Sequence, residues 1–181
     1  MKVIRFIGLN ELEVLVSEGK VKPIHETWSN CFGMGVKKNQ PVLWFFPFVS
    51  DDEYKSRILK NKTDFKFSEL DSPFYRLSYV SGIVASVPAK IDGENKSLSV
   101  CIHLDIPKKD LVEDEQTYAD PEGSFYDTMT VTEYLLHRPY LATEVEKVEI
   151  YFTYAMLTTE YLHRTFQEPS SALEYLKQRT C

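Results

Sequence analysis

The sequence lacks the patterns that mark membrane, secreted and metal-dependent proteins. No apolar run is long enough to cross a bilayer, and the chain opens into a strand-like pattern at Lys2 without a signal peptide. Its three cysteines, Cys31, Cys101 and Cys181, form no CxxC zinc pattern, and its four histidines show no HExxH or other ligand spacing. We therefore expect a reduced, cytoplasmic protein with free cysteines, no metal and no membrane association.

Motifs for phosphate binding and for serine hydrolysis are also missing. No glycine-rich phosphate loop follows a strand, and no GxSxG elbow occurs. The formal net charge of -6 argues against a broad basic surface for nucleic acid. We expect any macromolecular partner to be a protein rather than a nucleic acid.

What the sequence does contain is enough apolar material for one packed domain. Its 181 residues are 43% hydrophobic and 13% aromatic, which fits a globular domain with its own core. No repeat, low-complexity block or long linker divides the chain. We therefore predict a single domain over residues 1–181.

Local patterns predict an α+β fold of mixed, largely antiparallel sheets with peripheral helices. Asn10 as N-cap, Glu13 three residues later and Gly19 past the last turn predict a first helix. The Asp92-Gly93 pair predicts the turn of a hairpin. Strands outnumber helices and cluster in the second half, which is typical of α+β chains. Strands are predicted at 2–7, 42–49, 74–87, 96–107, 130–141 and 147–154, a short turn and acidic loop at 108–127, and further helices at 50–60, 160–166 and 171–179.

The stretch 97–106 alternates strictly between apolar and polar residues. This pattern predicts a strand with one face in the core and the other in solvent. We therefore expect His103 and Asp105 to be solvent-exposed. The core face is predicted to consist of Leu98, Val100, Ile102, Leu104 and Ile106.

Two charged residues stand alone in apolar strand patterns, Arg5 and Glu133. Glu133 lies in the run TVTEYLLHRPYL, just after the acidic, turn-prone segment YADPEGSFYD. Burying a charge is costly unless it is paired or used. For both residues the sequence leaves two readings open, a position on a solvent-facing side of the strand or a buried position with a function.

The run EYLLHRPYLATEVEKVEI, which begins at Glu133, resembles the catalytic strand and its continuation in ADP-ribosyltransferases (ARTs). The order of Glu133, apolar strand residues, Pro139 and spaced valines matches that family. Ile4-Arg5-Phe6 followed by a capped helix is similar to the family's arginine strand. The resemblance implies an ART-like domain that uses NAD as substrate. It further implies a mono-ADP-ribosyltransferase in which Glu133 stabilises an oxocarbenium-like transition state, and it gives Arg5, Ser29 and Tyr126 as NAD-binding residues.

The sequence also departs from the family pattern. Val131 stands two positions before Glu133, where the family often has Glu or Gln, and the Ser-Thr-Ser strand has no clean counterpart besides Ser29. These departures leave two alternatives open. One is a non-enzymatic binding module on a degenerate ART-like scaffold. The other is a hydrolase that uses Asp105 and Glu133 as paired carboxylates.

Overall fold

The structure, a computed structural model, describes residues 1–23, 41–48, 87–118, 129–153 and 161–180. Strands and helices in these ranges are numbered in chain order. The strands are β1 (Lys2–Ile7), β2 (Lys20–Val21), β3 (Leu43–Pro47), β4 (Val87–Ile91), β5 (Glu94–Asp105), β6 (Leu111–Tyr118), β7 (Met129–Leu136), β8 (Tyr140–Leu141), β9 (Val145–Thr153) and β10 (Tyr161–Phe166). The helices are α1 (Leu9–Glu18) and α2 (Pro169–Arg179), and short 3-10 turns span Lys108–Asp110 and Ala142–Glu144.

The described strands form one large sheet and one small one. The order in the large sheet is β10-β9-β5-β1-β3-β7-β6, and β4 pairs with the first half of β5. β2 and β8 make up the small sheet. Every pairing among the described strands is antiparallel. The predicted α+β class with largely antiparallel sheets is therefore confirmed.

The main core lies on the side of the large sheet that α1 and α2 cover, which we call the helix face. Leu12 and Leu15 of α1 and Leu176 of α2 pack there and are fully buried. Each such side chain contributes about 1.5–3 kcal/mol by leaving water. The predicted core face of β5 is confirmed, since its alternating apolar residues are at most 3% exposed: Leu98, Val100, Ile102 and Leu104.

The other side of the sheet, which we call the outer face, is also buried at its centre. Ile4, Cys101 and Tyr151 form a second cluster there, against which Phe6 and Phe46 pack. The prediction that the polar side of β5 faces solvent is therefore only partly right. Asp105 is exposed, with 58% of its side chain accessible, but His103 is only 5% exposed. Alternation identified two faces but carried no information on whether the second face is covered.

Two predicted helix positions need correction. The first helix begins at Leu9 after Gly8, not at an N-cap Asn10, and the amide of Leu12 donates to the carbonyl of Gly8 at 3.1 Å. Its predicted end is confirmed at Gly19, whose φ of 69° suits a residue without a side chain. The helix predicted at 160–166 is wrong. This stretch is β10, which pairs in antiparallel register with β9 at the edge of the sheet.

β6 is a strand that the sequence reading missed. Residues 111–118 were predicted as turn and acidic loop, yet they pair along their whole length with β7. Acidic residues have low strand propensity, and cross-strand pairing overrides it here. The helix predicted at 50–60 and the strand residues 74–86 lie outside the described ranges.

The hairpin turn between β4 and β5 is confirmed. Asp92 and Gly93 have φ values of 52° and 83°, as a two-residue turn with both central residues at positive φ requires. The amide of Asp92 donates to the carbonyl of Arg179 at 2.9 Å, which attaches the end of α2 to this turn. Neither helix in the described ranges is long and apolar enough to cross a membrane.

Candidate functional site

Arg5 is buried on the helix face, where its guanidinium binds α1. Nε and Nη2 donate to the two carboxylate oxygens of Glu11 at 2.8 and 3.0 Å, and Nη1 donates to the carbonyl of Trp44 at 3.0 Å. The hydroxyl of Tyr140 donates to the same carboxylate at 2.9 Å. Burial and the neighbouring Glu11 raise the pKa of Tyr140, so it remains a donor. This network joins β1, α1, β3 and β8.

Glu133 lies on the outer face of β7. Its neighbours Tyr134 and Leu136 belong to the helix-face core, and alternation turns Glu133 to the other side. The residue is 1% exposed, which makes it one of the most deeply buried charged side chains in the described ranges. The structure therefore excludes the solvent-facing position for Glu133. A carboxylate in this position needs a physical or functional reason.

Arg5 and Glu133 do not meet. Strand β3 lies between them, and the two side chains leave the sheet on opposite faces. Ser29 and Tyr126, the other expected NAD-binding residues, lie outside the described ranges. The four predicted site residues are therefore not brought together by the part of the chain that the structure describes.

Two aromatic side chains of β3 lie on the same face of the sheet as Glu133. Phe45 pairs with Tyr134, and one further step along this antiparallel register places Phe46 beside Glu133. Phe46 also pairs with Ile4 on its other side. Trp44 pairs with the next outward residue of β7, Leu135. The indole Nε1 of Trp44 is buried and has no hydrogen-bond partner among the described residues. A buried donor of this kind suits a ligand that presents a carbonyl oxygen.

Asp114 stands directly opposite Glu133 on the neighbouring strand β6. Directly opposed residues of an antiparallel pair share one face of the sheet, so both carboxylates lie on the outer face. Asp114 is partly exposed. Sequence reasoning missed it because it failed to recognise β6 as a strand.

Asp105, by contrast, is not available as a partner for Glu133. It is an exposed residue whose carboxylate accepts a hydrogen bond from the amino group of Met1 at 2.7 Å, which lowers its pKa. Three strand spacings of about 4.8 Å separate it from β7. Paired glycosidase carboxylates lie roughly 5–9.5 Å apart, so the hydrolase reading with this pair is wrong.

A second group of polar side chains lies on the outer face around Glu149. One carboxylate oxygen accepts from Nε2 of His103 at 2.6 Å and from the hydroxyl of Tyr151 at 3.0 Å. The other accepts from Nζ of Lys147 at 2.9 Å and lies 3.6 Å from Nε2 of His163. The ring of His163 stacks on Tyr151 with centroids 4.6 Å apart. We call these five residues the Glu149 cluster.

The charge of the Glu149 cluster is fixed by its hydrogen bonds. Burial alone raises the pKa of Glu149, but the hydrogen bonds from His103 and Lys147, together with the nearby ring of His163, outweigh it and hold the pKa well below the usual range. The carboxylate is therefore ionised and accepts the proton on Nε2 of His103. The described ranges contain no group of three or more side chains arranged to hold a metal ion.

The sequence contains a pattern that could have predicted the Glu149 cluster, the alternation of apolar and polar residues along β9. β9 alternates like β5, with Val148, Ile150 and Phe152 on the helix face and Glu149 and Tyr151 on the outer face. Buried polar residues are concentrated on this outer face. It carries four of the five in the described ranges, Ser99, His103, Glu133 and Glu149, whereas Arg5 alone lies on the helix face.

Cys101 lies next to this cluster but is not a candidate nucleophile. It stands opposite Glu149 in the β5–β9 register and is fully buried. Burial and the charge of Glu149 raise the pKa of the Cys101 thiol well above its usual range. The thiolate is the reactive form of cysteine, so this residue is an inert part of the packing.

An open depression of about 530 Å³ lies past the end of β7. Lys22, Pro23, Pro41, His137 and Pro139 line it. Glu133 is not among these residues, and it precedes His137 by four positions in the sequence. The depression therefore does not define the surroundings of Glu133.

Comparison with known proteins gives no relative for this site. No family model, no curated protein and no solved structure matches the chain. The chemistry of the site is therefore argued from its own residues.

Proposed function

We propose that this chain is an NAD-dependent ADP-ribosyltransferase in which Glu133 stabilises the transition state. The observation that carries the proposal is the position of Glu133, a carboxylate held at 1% exposure on an internal strand, at the place where the family resemblance expects the catalytic glutamate. A rigid strand also holds a carboxylate with the precision that catalysis requires.

The reaction breaks the bond between the nicotinamide nitrogen and the ribose anomeric carbon. Nicotinamide leaves with the bonding electrons, and positive charge develops on the ribose as in an oxocarbenium ion. A carboxylate fixed beside this carbon lowers the energy of the charged transition state more than that of neutral ribose. The nucleophile of the acceptor then forms a bond to the same carbon.

The surroundings of Glu133 support a nicotinamide nucleoside as ligand. Trp44 and Phe46 supply aromatic surface on the same face of the sheet, and aromatic rings pack well on planar heterocycles. The carboxamide oxygen of nicotinamide is an acceptor that matches the unsatisfied indole Nε1 of Trp44.

The position of Arg5 favours a second candidate function, a binding module without catalysis. All three guanidinium nitrogens of Arg5 donate to groups within the protein, on the face away from Glu133. The arginine that the family resemblance assigns to NAD is thus committed to α1. An arginine that no longer contacts NAD is expected in an ART-like scaffold that has lost its activity.

The test is nicotinamide release from NAD by the wild type and two variants. Glu133→Gln keeps the shape of the side chain but removes its charge, and we expect the rate to fall ~10²–10³-fold. The affinity for NAD, measured by calorimetry, should change little, because the carboxylate acts mainly in the transition state. Glu113→Gln is the matched control, since Glu113 is an exposed carboxylate on the adjacent strand.

Each outcome decides between the candidates. A wild type that releases no nicotinamide and does not bind NAD, with protein acceptors present, refutes the transferase. Binding of NAD without release favours the binding module. Equal activity of the wild type and a folded Glu133→Gln variant shows that the chemistry takes place elsewhere in the protein.

A further inference from the structure

We propose that Trp44 selects the leaving group at the Glu133 site by donating its indole N–H to a carbonyl oxygen on the pyridine ring. This inference rests on the proposed transferase function. It narrows the substrate class to pyridinium nucleotides that carry a carbonyl group at position 3 of the ring. In NAD that group is the carboxamide of nicotinamide.

The indole N–H of Trp44 is buried but unpaired. Nε1 is closed off from water and has no hydrogen-bond partner among the described residues, although the side chain as a whole is partly exposed. Indole can only donate, and a buried indole N–H usually finds an acceptor. An unpaired donor lowers stability, because folding removes it from water without replacing the lost hydrogen bond. A ligand oxygen at this position would restore that bond.

Tyr175 is the other uncharged residue in the described ranges with a buried polar atom that lacks a partner. Its ring packs against those of Phe152 and Phe166 at centroid distances of 6.2 and 5.2 Å, within the helix-face core. Trp44 lies on the opposite side of the sheet, because it alternates with Phe45 of that core. The unpaired indole therefore shares the outer face with Glu133, whereas the unpaired hydroxyl of Tyr175 does not.

Apolar side chains flank Trp44 on the outer face. Leu135 stands opposite it on β7. On the other side, Ile4 pairs with Phe46, and two further steps along this antiparallel register place Phe6 opposite Trp44. Leu135, Phe46 and Phe6 are all partly exposed. A planar aromatic ring can pack on this surface while a substituent of the ring reaches Nε1.

The strand register also gives the distance between Trp44 and Glu133. Phe46 lies beside Glu133, so Trp44 is a diagonal neighbour of Glu133 across β3 and β7. Diagonal neighbours on one face of an antiparallel pair lie about 7–8 Å apart. This separation is comparable to the distance from the ribose C1′ to the carboxamide oxygen of a nicotinamide nucleoside. Glu133 and Trp44 can therefore contact the two ends of the same unit of NAD.

The donor character of the indole defines which ring substituents the site accepts. The oxygen of a carboxamide or of a methyl ketone accepts a hydrogen bond from N–H, whereas an alkyl group does not. The amide nitrogen of nicotinamide takes no part in this contact. The site therefore recognises the carbonyl group rather than the whole amide.

The test uses nicotinamide, 3-acetylpyridine and 3-ethylpyridine as free ring ligands. The acetyl and ethyl groups are similar in size, but only the acetyl group carries an acceptor. We expect nicotinamide and 3-acetylpyridine to bind the wild type with similar affinity, and 3-ethylpyridine to bind about tenfold more weakly. Titration followed by saturation-transfer NMR measures each Kd. Equal affinity of the wild type for 3-acetylpyridine and 3-ethylpyridine would overturn the inference.

Variants separate recognition from packing. Trp44→Phe removes the N–H group and keeps an aromatic ring, so it should bind 3-acetylpyridine and 3-ethylpyridine equally. If Trp44 only packs, the substitution should change both affinities by the same factor and keep their ratio. Tyr175→Phe is the matched control, since it removes the other unpaired group and should retain the wild-type preference. Thermal melts verify folding, and if Trp44→Phe does not fold, the wild-type ligand comparison alone decides.

Nicotinamide release from NAD distinguishes failure of this inference from failure of the transferase proposal. If the wild type cleaves NAD but Trp44→Phe keeps the preference for the carbonyl ligand, Trp44 does not select the leaving group and the transferase proposal stands. If the wild type shows the preference, Trp44→Phe loses it and NAD is not cleaved, the transferase proposal fails and Trp44 remains a binding residue. Binding of none of the ring ligands to the wild type refutes the role of Trp44.

Discussion

The guanidinium of Arg5 and the carboxylate of Glu11 form a two-pronged ion pair between the first strand and the first helix, with bonds of 2.8 and 3.0 Å. Six residues along the chain separate the pair. Fork-like contacts of this kind are among the strongest that a side chain makes. They explain how a charged residue can be buried within the apolar pattern of β1.

We predict that Arg5→Ala destabilises the protein by about 3 kcal/mol, because it leaves Glu11 partly buried without its partner. The affinity of the folded variant for NAD should stay at the wild-type value. Chemical denaturation and calorimetry measure the two quantities. Arg5→Lys is the matched control, since it keeps the charge but not the fork, and should lose less stability. A variant with normal stability and weakened NAD binding would contradict the structural role.

Stability should also depend on Glu149 at acidic pH. Its pKa is lower in the folded state than in the unfolded chain, where glutamate titrates near about 4.3. The stabilising contribution is therefore fully present above that value and is lost as pH falls through the folded pKa. We expect denaturation midpoints to fall below about pH 5, and to fall less steeply in Glu149→Gln.

At neutral pH the same Glu149→Gln substitution should cost about 3 kcal/mol, since it replaces charge-assisted bonds from His103, Tyr151 and Lys147. Glu146→Gln is the control, because Glu146 lies on the same strand and its ion pair with Lys2 is largely exposed. Exposed pairs of that kind contribute little to stability, because solvent screens them. Equal losses in the two variants would show that the Glu149 cluster is not a special stabilising element.

Cys101 should resist thiol reagents in the native protein. Its thiol is fully buried and its pKa is raised, so both access and thiolate formation oppose the reaction. Labelling with a maleimide at pH 7.5, followed by peptide mass mapping, should find Cys101 unmodified until denaturant unfolds the chain. Rapid labelling of Cys101 under native conditions would mean that the outer face opens readily.

The β4–β5 turn offers a test of backbone strain. Gly93→Ala should cost about 1 kcal/mol, because the φ of 83° is unfavourable for a residue with a side chain. No atom lies within 4 Å of the added Cβ, so the loss reflects conformation rather than a clash. Gly93→Asn is a suitable control, since asparagine adopts positive φ more readily than alanine. It should lose less stability than Gly93→Ala.

Sequence patterns correctly predicted the elements that have a local periodicity. They failed for strands that form only by pairing with a strand distant in the sequence. The alternation of Leu98 to Leu104 gave the core face of β5, and Gly19 gave the end of α1. β6 could not be found in the same way, because its acidic residues follow no apolar alternation and become a strand only by pairing with β7. The same holds for the 160–166 stretch, which the edge of β9 draws into the sheet.

The candidate site was predictable only in part for a related reason. Sequence identified Glu133 as an isolated acid in an apolar strand, and the structure makes it a buried one. The sequence did not reveal that Arg5 and Glu133 lie on opposite faces of the sheet. Which residues of two strands share a face depends on the register between the strands, which neither strand's own pattern shows. Asp114 and Glu149 became visible only when their partner strands were known.

The large sheet separates an apolar core on its helix face from the buried polar residues on its outer face. The two faces should therefore differ in the substitutions that they tolerate. A saturation-mutagenesis library over β5 should show a period of two in its phenotypes. Substitutions at positions 98, 100, 102 and 104 should reduce the abundance of folded protein. At 99, 101 and 103, on the outer face, abundance should be preserved only by substitutions of similar volume that keep the hydrogen bonds of this face, because these positions are also buried. The kind of substitution that is tolerated should therefore alternate along β5, apolar on the helix face and polar or small on the outer face.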